Sequence, residues 1–208
     1  MNLMVKGFIF DFDGVLIDTN KYHFLSWQKA FEIFNINFNI NIYNEVIGLN
    51  RSESLKYILN FNQENLNIKE EVILKKKNDF FLKSIKNLSL NDLMPGVKDF
   101  VLKYNSTHKI AVASSSKNAR FILKKINFDH FFDVIVDGND ITESKPNPKV
   151  FLKCAELLNL TPSECIVFED SKNGIIGANE GGFHTYLVGK SEFKNLANFY
   201  IKDLTFYI

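Results

Sequence analysis

The chain has 208 residues, 46% of them hydrophobic and 24% charged, with a formal net charge of +1. That balance suits a soluble globular protein of one large domain or two small ones and gives no reason to expect a nucleic-acid partner. No uninterrupted apolar run approaches the roughly 20 residues needed to span a bilayer, and Met1 to Phe10 lacks the pattern of a signal peptide, so no membrane association and a cytoplasmic location are expected.

The first element is a strand over Phe8 to Phe10, closed by Asp11, Asp13 and Gly14 in the octapeptide FIFDFDGV. Residues two apart in an extended chain project to the same side, so both carboxylates leave the end of the strand together. Two carboxylates crowded there repel, and a cation or a shared proton is expected between them. Taken alone, Asp and Gly after a strand also fit an ordinary turn.

Phe24, Trp27, Phe31 and Phe34 then recur at helical spacing, which predicts an amphipathic helix from near Asn20, with Asp18 and Thr19 as caps. Ile36, Phe38, Ile40 and Ile42 alternate with asparagines at a strand period but without a strand partner, so an extended loop or short helix is expected. Ser54 to Leu59 and Ile68 to Ile85 read as helices. The second carries Val72, Lys76, Asp79 and Lys83 among its periodic positions, which mixes its faces, and its Lys75–Lys76–Lys77 run reads as a solvated face.

From Met94 onward helices and strands alternate. Helices are predicted over Val97–Lys103, Ala119–Ile126, Pro148–Leu158 and Gly174–Asn179. Strands are predicted over Lys109–Ala113, Phe132–Val136, Cys165–Phe168 and Thr185–Val188. This alternation predicts an α/β fold with a Rossmann-like, doubly wound parallel sheet, because such strands are covered on both faces and read as continuous apolar runs. The first strand must join that sheet to pair its backbone. The block from Ile17 to Asn87 is therefore a small all-helical insertion after strand one, giving a core of 1–16 and 92–208 and a cap of 17–91. Cys154 and Cys165 match no metal spacing and read as buried thiols.

Ligands of open parallel sheets bind beyond the carboxyl ends of the strands. Strand one ends there in Asp11 and Asp13, the next in Ser114, Ser115 and Ser116, and the fourth in Glu169 and Asp170, while Lys145 lies in the loop after the third. Singly, a serine run is a helix cap, a lysine before proline a loop residue and an acidic pair a turn. Together they form an oxygen-rich site with one ammonium, suited to Mg²⁺ and a phosphate group.

The order DxDG, hydroxyl, lysine, then Glu-Asp resembles the haloacid dehalogenase superfamily of aspartate-nucleophile phosphotransferases, from about Phe8 to Val188. Within it, DTNKYHFLSW (Asp18–Trp27), GLNRSES (Gly48–Ser54), KKND (Lys76–Asp79), ASSSKN (Ala113–Asn118), SKPNP (Ser144–Pro148) and VFEDSKNGI (Val167–Ile175) are similar to the β-phosphoglucomutase subfamily.

The resemblance implies an intramolecular phosphotransferase acting on small sugar phosphates, as a monomer. Asp11 would be the nucleophile. Asp13 would be the general acid and base, with a raised pKa. Ser114 and Lys145 would hold the transferring phosphoryl group, and His23 would couple the cap to Asp13. Mg²⁺ would be bound by Asp11, Asp13 (through its carbonyl) and Asp170, with Glu169 close by. Arg51 would hold a second, non-transferring phosphate, helped by Ser52, Lys77, Ser116, Lys117 and Asn118, with Gly48, Leu49, Asn50 and Trp27 completing the substrate site. Without the family, His23 reads as a surface histidine and Trp27 as cap core. A sugar-phosphate phosphatase and a non-catalytic binding protein share the core motifs.

Overall fold

The structure, a computed structural model, describes residues 4–63, 69–189 and 192–207. In chain order the elements are β1 (Gly7–Phe10), α1 (Asn20–Glu32), α2 (Ile40–Val46), α3 (Arg51–Phe61), α4 (Glu70–Ser84), α5 (Val97–Tyr104), β2 (Lys109–Ala113), α6 (Ala119–Lys125), β3 (Val134–Val136), α7 (Lys149–Leu157), β4 (Cys165–Glu169), α8 (Lys172–Glu180), β5 (His184–Val188) and β6 (Phe199–Ile201). The six strands form one parallel sheet in the order β3-β2-β1-β4-β5-β6. β1 is central, and the chain turns outward in opposite directions on its two sides. This makes the β1–β4 boundary the switch point at which parallel sheets open a crevice.

Strand alternation separates the two faces. Phe8, Phe10, Ile110, Val112, Ile166 and Phe168 join one apolar cluster with Phe100 and Val101 of α5 and Ile122 of α6. Ile9, Ala111, Ala113 and Val167 join another with Val150, Phe151 and Cys154 of α7 and Ala178 of α8. Phe10 and Phe168 stack across β1 and β4 with centroids 4.9 Å apart, each contributing about 1.5–3 kcal/mol by leaving water. Cys154 and Cys165 are free, buried thiols, as expected.

Among the described residues, the regular elements between β1 and α5 are all helices. Its own cluster gathers Trp27, Phe31, Ile42, Tyr43, Leu55, Ile58 and Ile73. Phe81, Ile85 and Leu88 instead pack into the sheet's cluster, so α4 is shared between block and core. The two crossings run side by side: Ile17 bridges Leu93, and Met94 N donates to Leu16 O at 2.9 Å.

Of the extended loop or short helix expected for the alternating stretch, the structure has the short helix α2, because Asn39 accepts hydrogen bonds from Asn41 N and Ile42 N and caps it. Other local expectations change. α3 starts at Arg51, capped by Asn50, rather than at Ser54. α4 starts at Glu70; the expected start at Ile68 lies outside the described residues. The buried stripe of α4 is Ile73, Lys77 and Phe81, one position out of phase with the sequence reading, so Lys77 is inside while Lys75 and Lys76 are exposed. β6 has no counterpart in the sequence reading: it is a three-residue edge strand, Phe199–Ile201, with Phe199 and Tyr200 exposed and only Ile201 buried.

Candidate active site

The site is built where β1 and β4 end together. Asp11 N donates to Phe168 O at 2.9 Å, continuing the strand pairing and fixing Asp11 beside the end of β4. The Asp11 carboxylate accepts a very short hydrogen bond from Lys145 Nζ. Lys145 also donates to Glu169 Oε1 at 2.8 Å and to Ala113 O at 3.3 Å, so one buried ammonium ties the ends of β1, β2 and β4. Glu169 is held from every side: it also accepts from Asp170 N at 2.7 Å, Ser171 N at 3.0 Å and Ser171 Oγ at 3.1 Å. Gly174 makes room for it, since a Cβ there would sit 1.8 Å from Glu169 Oε1. Ser114 is wholly buried at the end of β2, and its Oγ accepts from Ser116 N at 3.0 Å, turning the chain into α6. That bond uses the hydroxyl as an acceptor and leaves its donor proton uncommitted by it.

The helical block supplies the opposite wall. Thr19, expected as the cap of α1, makes no capping bond; its hydroxyl donates to Asp13 Oδ1 instead. His23 Nε2 lies 3.3 Å from the same oxygen. Its Nδ1 is 2.7 Å from Lys77 Nζ. Lys77 is 2% exposed and stands 5.4 Å from the Trp27 ring centroid and 4.8 Å from that of Phe81. Its ammonium itself lies over both rings and beside His23, and burial pushes its pKa well below the ordinary lysine range. Two further contacts join block and core: Asn173 Nδ2 donates to Ile47 O at 3.0 Å, and Asn118 Nδ2 to Asn78 Oδ1 at 3.2 Å. Gly48, at φ +90°, sits over Asn173 and Ser171; a Cβ there would be 3.3 Å from each.

Electrostatics divide the two aspartates. Asp11 is pushed well above the usual carboxylate range by burial and by Glu169, Asp170 and Asp13, against the pull of Lys145. Burial pushes Lys145 down, but Asp11 and Glu169 outweigh it and hold the ammonium above the ordinary lysine range. Burial also pushes Asp13 up, yet His23, the Thr19 hydroxyl and Lys145 bring it below its ordinary value. The expected raised pKa is therefore found on the other member of the pair, because the polar partners of the helical block gather at Asp13. Asp11, Glu169 and Asp170 each offer a carboxylate oxygen, all within 4.8 Å of one another. Crowded, oxygen-only donors around a single ammonium form a donor set that fits a hard divalent cation.

His23 is pushed down to about 4 by burial and by the neighbouring Lys77 charge, against Asp13. It is neutral at pH 7 and accepts from Lys77. An unfolded histidine titrates near 6.5, so the unfolded chain binds the extra proton as pH falls from 6.5 toward 4. Stability is then lost over that window. His23→Gln is expected to flatten this part of the acid limb in urea unfolding followed against pH; an unchanged limb would contradict a neutral, buried His23.

The cavity brings together most of the residues singled out from sequence: Asp11, Asp13, His23, Trp27, Gly48, Leu49, Arg51, Lys77, Ser116, Lys117, Lys145, Glu169 and Asp170 line it. Asn50, Ser52, Ser114 and Asn118 do not line it. Asn50 caps α3 by accepting from Glu53 N at 3.0 Å, and Ser52 is exposed. Trp27 is both core and wall: it stacks on Phe31 at 5.0 Å within the block's cluster. Asn20, Tyr43, Ser54 and Ser115 also line the cavity without having been singled out as ligands. The serine run signalled Ser115; no local pattern signals Asn20 or Tyr43, which meet the site through tertiary contacts.

An aspartate pair at the end of the central strand, a hydroxyl, a buried lysine and an acidic pair on a parallel sheet define a haloacid dehalogenase-like hydrolase. The model of that family matches residues 8–188, and the chain belongs to it. Among characterised relatives, the β-phosphoglucomutase of Bacillus subtilis (strain 168) is 34% identical over 192 residues, covering 90% of this chain and 85% of the relative. The fructose-1-phosphate phosphatase YqaB of Escherichia coli (strain K12) is 28% identical, covering 85% of this chain and 92% of the relative. The crystal structure of β-phosphoglucomutase from Clostridium difficile superposes with a TM-score of 0.93 at 32% identity, covering 99% of this chain and 94% of that one. The chain is thus an enzyme of that family on a Rossmann-like parallel sheet, and its relatives include both phosphoglucomutases and phosphatases. No helix among the described residues is long and apolar enough to cross a membrane.

Proposed function

We propose that the protein interconverts β-D-glucose 1-phosphate and β-D-glucose 6-phosphate through an aspartyl phosphate and a bound glucose 1,6-bisphosphate. The observation that supports this reading is a single cavity lined by cationic side chains from both the core and the helical block, which would give it two anion-binding ends. Lys145 lies beside Asp11 at one end, and Arg51 and Lys77 belong to the wall supplied by the helical block. A hydrolase of one phosphate ester needs the first end; a bisphosphate needs both.

In this reading a carboxylate oxygen of Asp11 attacks the phosphoryl group of the bisphosphate, forming the acyl phosphate as the sugar oxygen leaves. Asp13 donates the proton to that oxygen. In the reverse half-reaction it removes the proton from the attacking sugar hydroxyl. Its lowered pKa suits the second role as its resting state, and the Thr19 hydroxyl and His23 aim it at the substrate. Lys145 and the Ser114 hydroxyl would neutralise and orient the transferring oxygens, since phosphoryl transfer is chiefly positioning and charge stabilisation. Asp11, Asp170 and the main-chain carbonyl of Asp13 would hold Mg²⁺, with Glu169 locking the Asp170–Ser171 turn; the ion would supply charge neutralisation at the phosphoryl oxygens. Arg51, with its fork of donors, would grip the far phosphate, joined by Lys77, Ser116 and Lys117. Contacts such as Asn173–Ile47 and Asn118–Asn78, which seat the block on the core, support exclusion of water from the acyl phosphate.

The test compares two rates in one mixture of β-glucose 1-phosphate, Mg²⁺ and trace bisphosphate. Glucose 6-phosphate is expected to form much faster than inorganic phosphate is released; the reverse order would identify a sugar-phosphate phosphatase. Arg51→Ala is expected to slow isomerisation by about 10²-fold, the loss of one well-placed charged clamp, and to leave hydrolysis of a small aryl phosphate within a few-fold. Equal losses in both assays would remove Arg51 from the far phosphate.

A further inference from the structure

Asn20 joins elements that the reaction uses separately. It is the first residue of α1, directly after Thr19, and it lines the cavity. Its Nδ2 donates to Asp170 Oδ2 at 3.3 Å. Its Oδ1 and its main-chain carbonyl both accept from the Tyr43 hydroxyl, at 3.2 and 3.1 Å. The carboxylate fixes the side-chain amide: reversed, it would set Oδ1 against Asp170, whereas the single Tyr43 proton, shared between the two Asn20 oxygens, could serve the main-chain carbonyl in either orientation. Tyr43 belongs to α2, is 6% exposed and packs edge-on against Phe24 at 5.6 Å and Phe38 at 6.3 Å. Its hydroxyl is therefore directed by a rigid aromatic group.

The backbone leaves space for this chain of contacts. Gly14 has φ +93°, a left-handed conformation, and a Cβ there would fall 2.1 Å from Asp170 Oδ2 and 2.9 Å from Asn20 Nδ2. Only a residue without a side chain lets the amide reach the carboxylate at this point. A neutral amide is also the chemistry required. An aspartate at position 20 would add to the repulsion among Asp11, Asp13 and Asp170. A lysine would compete for the carboxylate as a second cation.

We propose that Asn20 is a positioning residue that holds the Asp170 carboxylate for the divalent cation, and that Tyr43 steadies it from the helical block. The inference rests on the reading of Asp170 as a metal ligand but not on the identity of the sugar or on mutase rather than phosphatase chemistry. Groups that orient a metal ligand by hydrogen bonding are worth about 10–100-fold in metal affinity when removed. Tying that group to Tyr43 makes the affinity depend on where α2 sits.

The experiment titrates the full-length protein with Mn²⁺ without sugar phosphate, reading free ion by its electron paramagnetic resonance signal. Activity is then followed against Mg²⁺. Asn20→Ala is expected to weaken Mn²⁺ binding about 10-fold or more and to raise the half-saturating Mg²⁺ equally, with kcat at saturating Mg²⁺ within about two-fold. Tyr43→Phe, which keeps the packing and removes only the hydroxyl, is expected to weaken binding a few-fold and guards against an unfolded Asn20→Ala. Mn²⁺ affinity unchanged in folded Asn20→Ala overturns the positioning role. Wild-type binding that survives Asp170→Asn overturns the metal-ligand reading and the inference with it. Normal Mn²⁺ behaviour with no isomerisation leaves the inference standing and removes only the mutase reading.

Discussion

Asp11→Asn is expected to lower turnover of β-glucose 1-phosphate by about 10⁴-fold or more, as loss of a covalent nucleophile does, while the melting midpoint moves by only a few degrees. The two halves have separate physical causes. The amide has the size of the carboxylate but no anionic oxygen to attack phosphorus, so no acyl phosphate forms. Stability is spared because ionised Asp11 is itself disfavoured: burial, Glu169, Asp170 and Asp13 all push its pKa up. A neutral group in its place relieves that repulsion, and Lys145 keeps Glu169 at 2.8 Å as its partner. Quenched-flow trapping with labelled bisphosphate should show an acyl phosphate in the wild type and none in the variant. Turnover within ten-fold of wild type would reject the assignment.

Lys145→Met is expected to be the costliest single change to the fold in this site. It removes the buried ammonium between Asp11 and Glu169 and leaves two buried carboxylates uncompensated, a loss of about 3–5 kcal/mol when one partner of a buried pair is deleted. The pH dependence gives a second check. Without Lys145 the Asp11 carboxyl, already raised, rises further above its unfolded value. A group raised on folding contributes stability below its unfolded pKa and loses it as pH rises through the folded one. The deficit relative to wild type should therefore be smaller near pH 5 and larger near pH 8, read by urea unfolding at both. In the wild type Lys145 should keep its charge across neutral pH, because it is held above the ordinary lysine range by Asp11 and Glu169. A deficit that shrinks toward alkaline pH would contradict the charge arrangement.

What the amino-acid order revealed follows a physical divide. Strands buried on both faces, such as Lys109–Ala113 and Cys165–Glu169, read as apolar runs and were placed within one residue. The chemical groups at their ends were legible because the carboxyl edge of a parallel sheet collects them. β6 escaped because its Phe199-Tyr200-Ile201 run is only three residues long and lies beyond the last predicted helix–strand alternation, at an edge where only Ile201 is buried. Thr19 looked like a cap because local hydrogen bonding is all that sequence spacing tests; its proton goes to Asp13, six residues back, through the fold of the turn. Lys77 looked solvated in a lysine run, yet the i, i+4, i+8 stripe of Ile73, Lys77 and Phe81 puts it inside. Asn20 could not be found at all, since its partners are 23 and 150 residues away.

The twin crossings between sheet and helical block form one joint. Because Leu16–Ile17 and Leu93–Met94 are bonded to each other, a shift of one must carry the other. The joint adjoins Asp13, which itself bridges Ile17. Under the proposed function, a rotation of the block that brought Arg51, Lys77 and His23 over a substrate would also shift Asp13, so closure of the site and placement of its acid–base group would be coupled.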